Sequence, residues 1–355
     1  METMHRLVFG DSRSLYSVES ESVALIVTSP PYPMIELWDE VFGRQDRRIS
    51  EALDRKEGYL AFELMNQVLD RVWDEVYRVL MPGGIACINI GDATRKVDDD
   101  FNLYPNHSRI QSYCLKKGFQ VLPEILWRKQ TNAPNKFMGS GMLPSGAYVT
   151  LEHEFILILR KGGRRVFTPQ EQRARMESAY FWEERNVWFS DVWDFKGAGQ
   201  KLNGSESRGR SGAYPFELAY RLINMYSIQG DTVLDPFLGT ATTTLAAMAS
   251  GRNSVGVEID PSFRSYIEKR ITGSVPLLRK YGEDRLKKHQ EFVGRREEER
   301  KDLKYVNEYY GFPVMTLQEV NLKSPVVKGV SKRDDDVYVV SYTYYRPLGL
   351  QSYSS

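Results

Sequence analysis

Two segments of the sequence combine residue types that could carry out chemistry together. The first, Thr28-Ser29-Pro30-Pro31-Tyr32, directly follows the apolar run 23–27. Two consecutive prolines hold the backbone extended, so the Ser29 hydroxyl and the Pro30 carbonyl would point rigidly from the end of a strand. Tyr32 adds a planar face. The segment therefore offers two hydrogen-bond acceptors beside a stacking surface.

Two acceptors at this spacing suit the activation of an exocyclic amino group on cytosine or adenine. Such a nitrogen is a poor nucleophile because its lone pair is delocalised into the ring. Acceptors that bind its hydrogens would pyramidalise the nitrogen and direct the lone pair at a methyl donor. The plainer interpretation of the segment is a proline-capped strand with a buried tyrosine.

The second segment, Asp235-Pro236-Phe237-Leu238-Gly239-Thr240, lies where a predicted strand gives way to a predicted helix. Gly239 would let backbone N–H groups approach a ligand closely. Glu258 stands at the end of the next predicted strand, where an acid could accept the ribose hydroxyls of a nucleoside cofactor. A purely structural turn is the alternative, but the pairing with Glu258 favours a cofactor site.

Strands and helices alternate around these segments. Apolar residues recur every four positions from Leu60 to Leu80, which predicts a long amphipathic helix over 59–80. Further helices are predicted at 216–226 and 241–249. The predicted strands are 6–9, 23–27, 85–90, 121–127, 154–159, 232–234 and 254–259. This alternation indicates an α/β fold with a parallel-type sheet.

Beyond this α/β pattern, the C-terminal part of the sequence predicts a charged helix over 277–306. Strand-like runs follow near Val314, near Val326 and at 337–345, with a hairpin turn at 331–336. These elements follow the two segments that could carry chemistry. Their role is left open.

Composition bounds the class of protein. The 355 residues suit about two domains, or one α/β domain with an inserted module. Lys and Arg number 48 against 47 for Asp and Glu, so a nucleic-acid surface must be a local patch. Cys87 and Cys114 cannot form a disulfide framework, and the four histidines lack zinc spacing. With no signal peptide or membrane span in the sequence, a metal-free cytoplasmic protein without a membrane partner is expected.

The two segments, in this order, resemble the permuted beta class of DNA amino-methyltransferases. In that class the catalytic Pro-Pro-Tyr segment precedes the cofactor glycine turn, with target recognition between them. The resemblance implies a Rossmann-like S-adenosylmethionine-dependent methyltransferase sheet with circularly permuted motif order. It further implies a division into a catalytic half (1–129), an inserted target-recognition region (130–213), a cofactor-binding half (214–273) and a C-terminal extension (274–355).

Site residues follow from the same resemblance. Ser29, Pro30, Pro31 and Tyr32 match the catalytic motif. The resemblance implies that a further set contacts S-adenosylmethionine: Asp11, Pro215, Phe216, Asp235, Pro236, Phe237, Gly239, Thr240 and Glu258. Trp127 falls where the family places a segment near the flipped base, although a core position would suit it equally.

The sequence departs from the family pattern at two points. Ala241 stands where a second glycine is frequent, and Arg210-Ser211 replaces a frequent His-Pro pair. The second departure affects the segment expected to cover the cofactor.

Double-stranded DNA is the expected partner. The stretch 160–210 holds eleven Lys and Arg against seven Asp and Glu, with aromatic residues interleaved. The candidate DNA contacts in it are Arg173, Arg175, Arg208 and Arg210, with Asn203 a further candidate for reading base edges. A solvated charged face is the alternative. The resemblance also allows a homodimer and a companion restriction endonuclease.

Other functions fit the residues less well. Cytosine C5 methylation needs a nucleophilic cysteine, usually after proline, whereas Cys87 follows Ala86 and Cys114 follows Tyr113. RNA or protein-glutamine methyltransferases usually carry the cofactor turn first. A non-catalytic nucleotide-binding or DNA-binding module would leave the segment at Ser29 without a purpose. Serine before the Pro-Pro pair resembles the cytosine-N4 enzymes, while Asp or Asn is commoner in adenine-N6 enzymes.

Overall fold

A mixed sheet of ten strands forms the centre of the protein in the computed structural model, which describes residues 1–129, 138–139, 141–197, 214–299 and 303–344. The strands of these ranges are β1 (Glu2–Phe9), β2 (Val23–Thr28), β3 (Leu80–Ile90), β4 (Ala93–Val97), β5 (Asp100–Tyr104), β6 (Phe119–Arg128), β7 (Met138–Gly139), β8 (Ala147–Tyr148), β9 (His153–Lys161), β10 (Val192–Asp194), β11 (Thr232–Asp235), β12 (Asn253–Glu258), β13 (Tyr305–Val306), β14 (Pro313–Val314), β15 (Val326–Asp334) and β16 (Val337–Thr343). The helices are α1 (Asp39–Gln45), α2 (Arg47–Asp54), α3 (Gly58–Val79), α4 (Asn106–Lys117), α5 (Pro169–Glu177), α6 (Trp182–Trp188), α7 (Phe216–Tyr226), α8 (Thr242–Ser250), α9 (Arg264–Thr272) and α10 (Val275–Glu298).

The strand order in the central sheet is β10-β6-β9-β3-β2-β11-β12-β1-β16-β15. The five strands from β3 to β1 pair in parallel. On one side β9 is antiparallel to both of its neighbours, and on the other β16 is antiparallel to both β1 and β15. The predicted parallel-type sheet is therefore the centre of a mixed one, and the fold class is confirmed.

Helices cover both faces of the sheet, as the sequence of β2 requires. All six residues of β2 are buried, which is typical of a strand with helices on both sides. Leu25 and Val27 pack in a core cluster with residues of α7 and α8, whereas Ile26 packs in a second cluster with residues of α3. The two faces of the sheet thus belong to two separate hydrophobic cores.

The direction of chain travel reverses between β2 and β11. From β2 the chain moves on to β3 on one side, and from β11 it moves through α8 to β12 on the other. In open α/β sheets, ligands bind outside the carboxyl ends of the strands at such a switch point. Both chemical segments of the sequence begin there, since Ser29 follows β2 and Pro236 follows β11.

Two predictions for the C-terminal part need correction. The charged helix predicted over 277–306 ends at Glu298, and Tyr305–Val306 is a strand. The hairpin turn is narrower than 331–336, because β15 continues to Asp334 and β16 begins at Val337. Cross-strand pairs such as Lys332 with Tyr338 keep the polar residues in the ladder.

The divisions expected from the resemblance stay a prediction, but the sheet crosses them. Strand β9, from the expected target-recognition region, lies between β3 and β6 inside the sheet. Strands β15 and β16, from the expected C-terminal extension, continue the same sheet beyond β1. In the described ranges we find no helix long and apolar enough to cross a membrane.

Candidate active site

The two strand ends at the switch point are joined by hydrogen bonds to Asp235. Its Oδ1 accepts from the Thr28 hydroxyl at 2.6 Å and from the Phe237 backbone N–H at 3.0 Å. Its Oδ2 faces the hydroxyls of Thr243 at 2.6 Å and Tyr214 at 3.2 Å. This carboxylate therefore ties together β2, β11, α8 and Tyr214, two residues before α7.

Asp235 itself does not line the cleft at this edge. It is buried, and four groups of its own chain occupy the roughly four acceptor positions of a carboxylate. Burial raises the pKa of the Asp235 carboxyl, and the hydrogen bonds from Thr243, Thr28, Phe237 and Tyr214 oppose that rise. Its oxygens brace the strand ends, and direct contact of Asp235 with a cofactor stays a prediction.

Glu258 occupies the end of β12, one strand beyond Asp235. Its Oε2 accepts from the Gly239 backbone N–H at 2.8 Å, and its Oε1 accepts from the Asp260 N–H at 2.9 Å. The side chain lines the cleft and keeps acceptor capacity for further hydroxyls. Burial raises the pKa of the Glu258 carboxyl, against the effect of the two N–H donors.

Gly239 and Ala241 both adopt left-handed backbone conformations in the turn before α8, with φ of 51° and 64°. Glycine adopts this conformation at no steric cost, whereas alanine is strained in it. Ala241, which stands where the family frequently has glycine, is therefore in a conformation that glycine would adopt more easily.

A cleft of about 340 Å³ opens at the carboxyl ends of β2, β11 and β12. One wall is apolar and includes Ile35, Trp38, Val41 and Phe42, from the segment between the proline motif and α2. Other lining residues come from the two chemical segments and the strand ends beside them: Asp11, Ser29, Pro30, Pro31, Tyr32, Pro236, Phe237, Gly239, Thr240 and Glu258. The structure thus places both predicted motifs around one cavity.

The hydrogen bonds around Tyr32 have determined directions. Tyr32 lies 2.9 Å from Oε2 of Glu154, and a carboxylate can only accept, so the phenol must donate its one hydrogen there. The phenol oxygen then accepts from Ser29 Oγ at 3.2 Å and from the Asn89 side-chain amide at 2.9 Å. Because Ser29 gives its hydrogen to Tyr32, the lone pairs of Ser29 Oγ remain to accept from a ligand.

Gly91 and Asn106 fix the position of the Tyr32 side chain and of the backbone next to it. Gly91 lies against the Tyr32 ring, and a Cβ at position 91 would come within 2.9 Å of ring carbon Cε2. The buried Asn106 amide donates to the carbonyls of Pro33 at 3.1 Å and Gly91 at 3.0 Å. Burial and the negative charge of Glu154 raise the pKa of Tyr32 well above its usual range, so the phenol is neutral.

The sequence and the fold also resemble known proteins. A family model for N6/N4 methyltransferases, described as DNA methylase, matches residues 23–269. The chain belongs to this family of DNA methylases. The Type II methyltransferase M.MthZI of Methanothermobacter thermautotrophicus is 53% identical over 326 residues, which cover 91% of this chain and 90% of that protein. M.MjaI of Methanocaldococcus jannaschii is 51% identical, over 76% of this chain and 91% of its own.

Among solved structures, the methylase resembles the putative DNA modification methylase TTHA0409 from Thermus thermophilus, which was solved in complex with S-adenosyl-L-methionine. The TM-score is 0.59 and the identity 35%, over 77% of this chain and 96% of that one. The predicted cofactor of the family is thereby confirmed.

The cleft of the methylase fits such a cofactor. The apolar wall can hold an adenine ring, and Glu258 can accept the ribose hydroxyls. Thr240 is buried, and within the described residues its Oγ1 has no hydrogen-bond partner. A buried hydroxyl without a partner is costly, so a polar ligand group at this position would satisfy it. Asp11 also lines the cleft, where it pairs with Arg13 at 2.9 Å.

Besides Asp235, the predicted site residues Pro215, Phe216 and Trp127 of the methylase lie away from the cleft lining. Pro215 precedes α7, and Phe216 packs against Tyr220 and Tyr281, so its ring contributes to helix packing. Trp127 is buried in the core, where its indole N–H donates to the Phe195 carbonyl at 3.0 Å. The structure therefore places Trp127 in the core and brings Lys129, two residues later, to the cleft.

Arg173 and Arg175 lie near the amino ends of the central strands, opposite the carboxyl ends where the cleft opens. Helix α5, which carries them, is followed by Ser178, whose hydroxyl accepts the Gln229 N–H at 2.8 Å just before β11 begins. Arg165, which precedes α5, donates to Asp231 at 2.7 Å at the same end. This end lies away from the cleft, and their expected DNA contacts stay a prediction. Arg208, Arg210 and Asn203 lie outside the described residues.

Several cleft residues of the methylase were not predicted from the sequence. Tyr214, Lys129 and Glu154 line the cleft, and Asn89 supports it from β3. They stand in four distant parts of the chain, and no motif marks them. Within the described ranges no group of His, Cys, Asp and Glu could hold a metal ion.

Proposed function

We propose that this methylase transfers a methyl group from S-adenosylmethionine to N4 of a cytosine that has left the DNA duplex. The observation that carries the proposal is the single cleft that holds both Ser29-Pro30-Pro31-Tyr32 and Glu258. Asp235 ties the two strand ends together, since the Thr28 hydroxyl lies 2.6 Å from its Oδ1. A methyl donor and an amino acceptor could therefore meet at the switch point of the sheet.

We assign cofactor binding and base activation to different residues of the chain. S-adenosylmethionine supplies an electrophilic methyl group. Glu258 would hold the ribose hydroxyls, and Thr240 would bind a polar group of the same ligand. The target base must first leave the stack at a cost of a few kcal/mol. Ser29 Oγ and the Pro30 carbonyl would then accept its amino hydrogens and direct the nitrogen lone pair at the methyl group.

Ser29 favours cytosine over adenine. A serine before the Pro-Pro pair resembles the cytosine-N4 enzymes, and the lone pairs of Ser29 Oγ remain to accept because its hydrogen goes to Tyr32. Adenine N6 is the second candidate, since its amino group has the same hydrogens to offer. The product of the reaction distinguishes the two.

DNA would enter beside the cleft. Lys129 lines the cleft at the end of β6, and Tyr214 lines it after the segment that holds Arg208 and Arg210. Since Arg208 and Arg210 come shortly before Tyr214 in the sequence, they are our candidates for phosphate contacts. The Type II names of both relatives favour a companion endonuclease that cuts the unmethylated sequence. The homodimer stays a prediction.

The test is the identity of the methylated base. DNA from cells that express the methylase and lack other methylation should yield N4-methylcytosine when it is digested to nucleosides and analysed by mass spectrometry. Sequencing of the modified positions would give the target. N6-methyladenine would overturn the choice of cytosine, and the absence of any methylated amino base would overturn the proposed function.

A matched pair of variants tests the role of Ser29. Ser29→Ala should slow methyl transfer about 10²-fold in a single turnover, because one acceptor is lost, while affinities for DNA and cofactor change little. Ser265→Ala, at an exposed serine of α9, is the control. Transfer at the wild-type rate by Ser29→Ala would remove the hydroxyl from the mechanism.

A further inference from the structure

The reaction proposed above releases a proton that Ser29 cannot keep. When the amino nitrogen bonds to the methyl carbon, the carbon–sulfur bond breaks with its electron pair on sulfur. The nitrogen then carries one proton too many. A serine hydroxyl can accept this proton only if it gives up its own, so another group must finally take it.

The carboxylates that line the cleft differ in their connection to Ser29. Asp11 pairs with Arg13 at 2.9 Å, and Glu258 accepts the backbone N–H groups of Gly239 and Asp260. Asp260, which also lines the cleft, accepts the Ser262 backbone N–H at 3.0 Å. Glu154, the fourth cleft carboxylate of the described ranges, has a hydrogen-bond path to Ser29. The path runs through the Tyr32 hydroxyl.

We propose that Ser29, Tyr32 and Glu154 form a proton relay that removes the amino proton during methyl transfer. It rests on the proposed function, but it needs only an exocyclic amino group, so cytosine and adenine would serve equally. Every hydrogen bond already points in the required direction. Ser29 donates to Tyr32 over 3.2 Å, and Tyr32 donates to Oε2 of Glu154 over 2.9 Å.

The atoms and charges of the relay balance. The amino proton passes to Ser29 Oγ, the Ser29 proton passes to the Tyr32 oxygen, and the Tyr32 proton passes to Oε2 of Glu154. Ser29 and Tyr32 end as they began, neutral. One positive charge leaves the sulfonium donor and one negative charge leaves Glu154. The donor becomes a neutral thioether and Glu154 a neutral acid.

The surroundings of Glu154 suit a terminal acceptor. Its side chain is 10% exposed, so the proton can pass to water after the product has left. Lys129 pairs with Oε1, which leaves Oε2 to the relay. The Asn89 amide donates both to Oε2 at 2.6 Å and to the Tyr32 oxygen at 2.9 Å, and so holds the two groups at a fixed separation.

Two conservative variants test the relay. Tyr32→Phe keeps the ring but has no hydroxyl, and Glu154→Gln keeps the shape but cannot take a proton. Each should lower the single-turnover rate of methyl transfer by about 10²-fold or more, the usual range for loss of proton transfer. The double variant should be no slower than the slower single variant, because both changes break one path.

Measurements without turnover separate proton transfer from a structural role. Extrusion of a fluorescent base analogue at the target position, and the affinities for cofactor and DNA, should stay close to wild type in both variants. Tyr113→Phe is the matched control, since that hydroxyl also donates to a carboxylate, Asp74, at 3.0 Å, and neither residue lines the cleft.

Several outcomes would overturn the relay. The relay would be overturned if either variant transferred methyl groups at the wild-type rate, or if the losses multiplied in the double variant. Failure of a variant to extrude the base would also overturn it, because Tyr32 and Glu154 would then shape the base site. If wild-type enzyme methylates DNA in these cases, the proposed function stands and only the relay fails. If wild-type enzyme methylates no amino group, the proposed function itself fails.

Discussion

Gly91 shows how closely a single residue of this methylase controls the position of Tyr32, the tyrosine that we propose to be catalytic. The Tyr32 ring rests on its backbone, and a side chain at position 91 would also approach Cγ of Glu154 to 3.3 Å. Interiors are packed so densely that an added methyl group must displace its neighbours. The two residues that it would displace are those that we place next to the transferred proton.

Gly91→Ala should therefore slow methyl transfer about 10²-fold, the order expected when a catalytic group is misplaced by about 1 Å. Cofactor affinity should change little, because Gly91 does not line the cleft. Single-turnover kinetics and calorimetry would measure the two effects. Gly163→Ala is the matched control, since a Cβ there meets nothing within 4 Å. Equal rates in both variants would show that Tyr32 can move without loss.

At the scale of elements, the proposed cofactor site depends on the residues at which neighbouring strands end. Strand β11 ends in Asp235, whose carboxylate already accepts hydrogen bonds at all of its acceptor positions. Strand β12 ends in Glu258, whose carboxylate keeps acceptor positions for a ligand. The Gly10 N–H donates to the Glu258 carbonyl at 2.9 Å, so β1 holds the end of β12 in place. Of the last residues of β11 and β12, Glu258 is thus the acidic side chain that lines the cleft.

Glu258→Gln should weaken S-adenosylmethionine binding about 10- to 150-fold, the range for loss of hydrogen bonds to a charged group. Wild-type affinity should also fall as pH decreases, because protonation removes an acceptor. Since burial raises the pKa of Glu258, that fall should begin above the usual pH range for glutamate.

Calorimetry at several pH values measures both effects, with Glu268→Gln on α9 as the control. The expected profile for Glu258→Gln lacks the fall at low pH. Wild-type affinity in a folded Glu258→Gln variant would mean that another group holds the ribose.

At the scale of the whole molecule, attraction to DNA requires a local concentration of positive charge. The formal net charge is +1, so attraction to DNA depends on which edge of the sheet carries the cations. Arg173 and Arg175 lie at the edge away from the cleft, as shown by the contacts of Ser178 and Arg165 with the residues before β11. Arg208 and Arg210 come shortly before Tyr214 in the chain, and Tyr214 lines the cleft.

Replacing Arg208 and Arg210 with Ala should weaken binding to duplexes of any sequence. It should also reduce the slope of log affinity against log salt by about 2, because each phosphate contact releases about one counterion. The double variant Arg173→Ala with Arg175→Ala should keep the wild-type slope. Fluorescence anisotropy across a salt series compares them. A larger loss in the second variant would place the DNA at the opposite edge.

The sequence alone determined what depends on neighbouring residues. Helix 216–226 and the strands around 23–27 and 85–90 follow from periodicity and from proline and glycine, which act on the local backbone. The proline motif and the glycine turn were identifiable because each is continuous in the chain. Their order was enough to indicate the family and its cofactor.

Only the tertiary structure decided which side chains meet. Tyr32 and Glu154 are 122 positions apart, and they come together because β9 pairs with β3 inside the sheet. The same packing fills the acceptor positions of Asp235 and buries Trp127. It also places Arg173 near the amino ends of the central strands, away from the cleft. Local propensity contains none of this, because strand order and core packing are set by contacts between residues far apart in the chain.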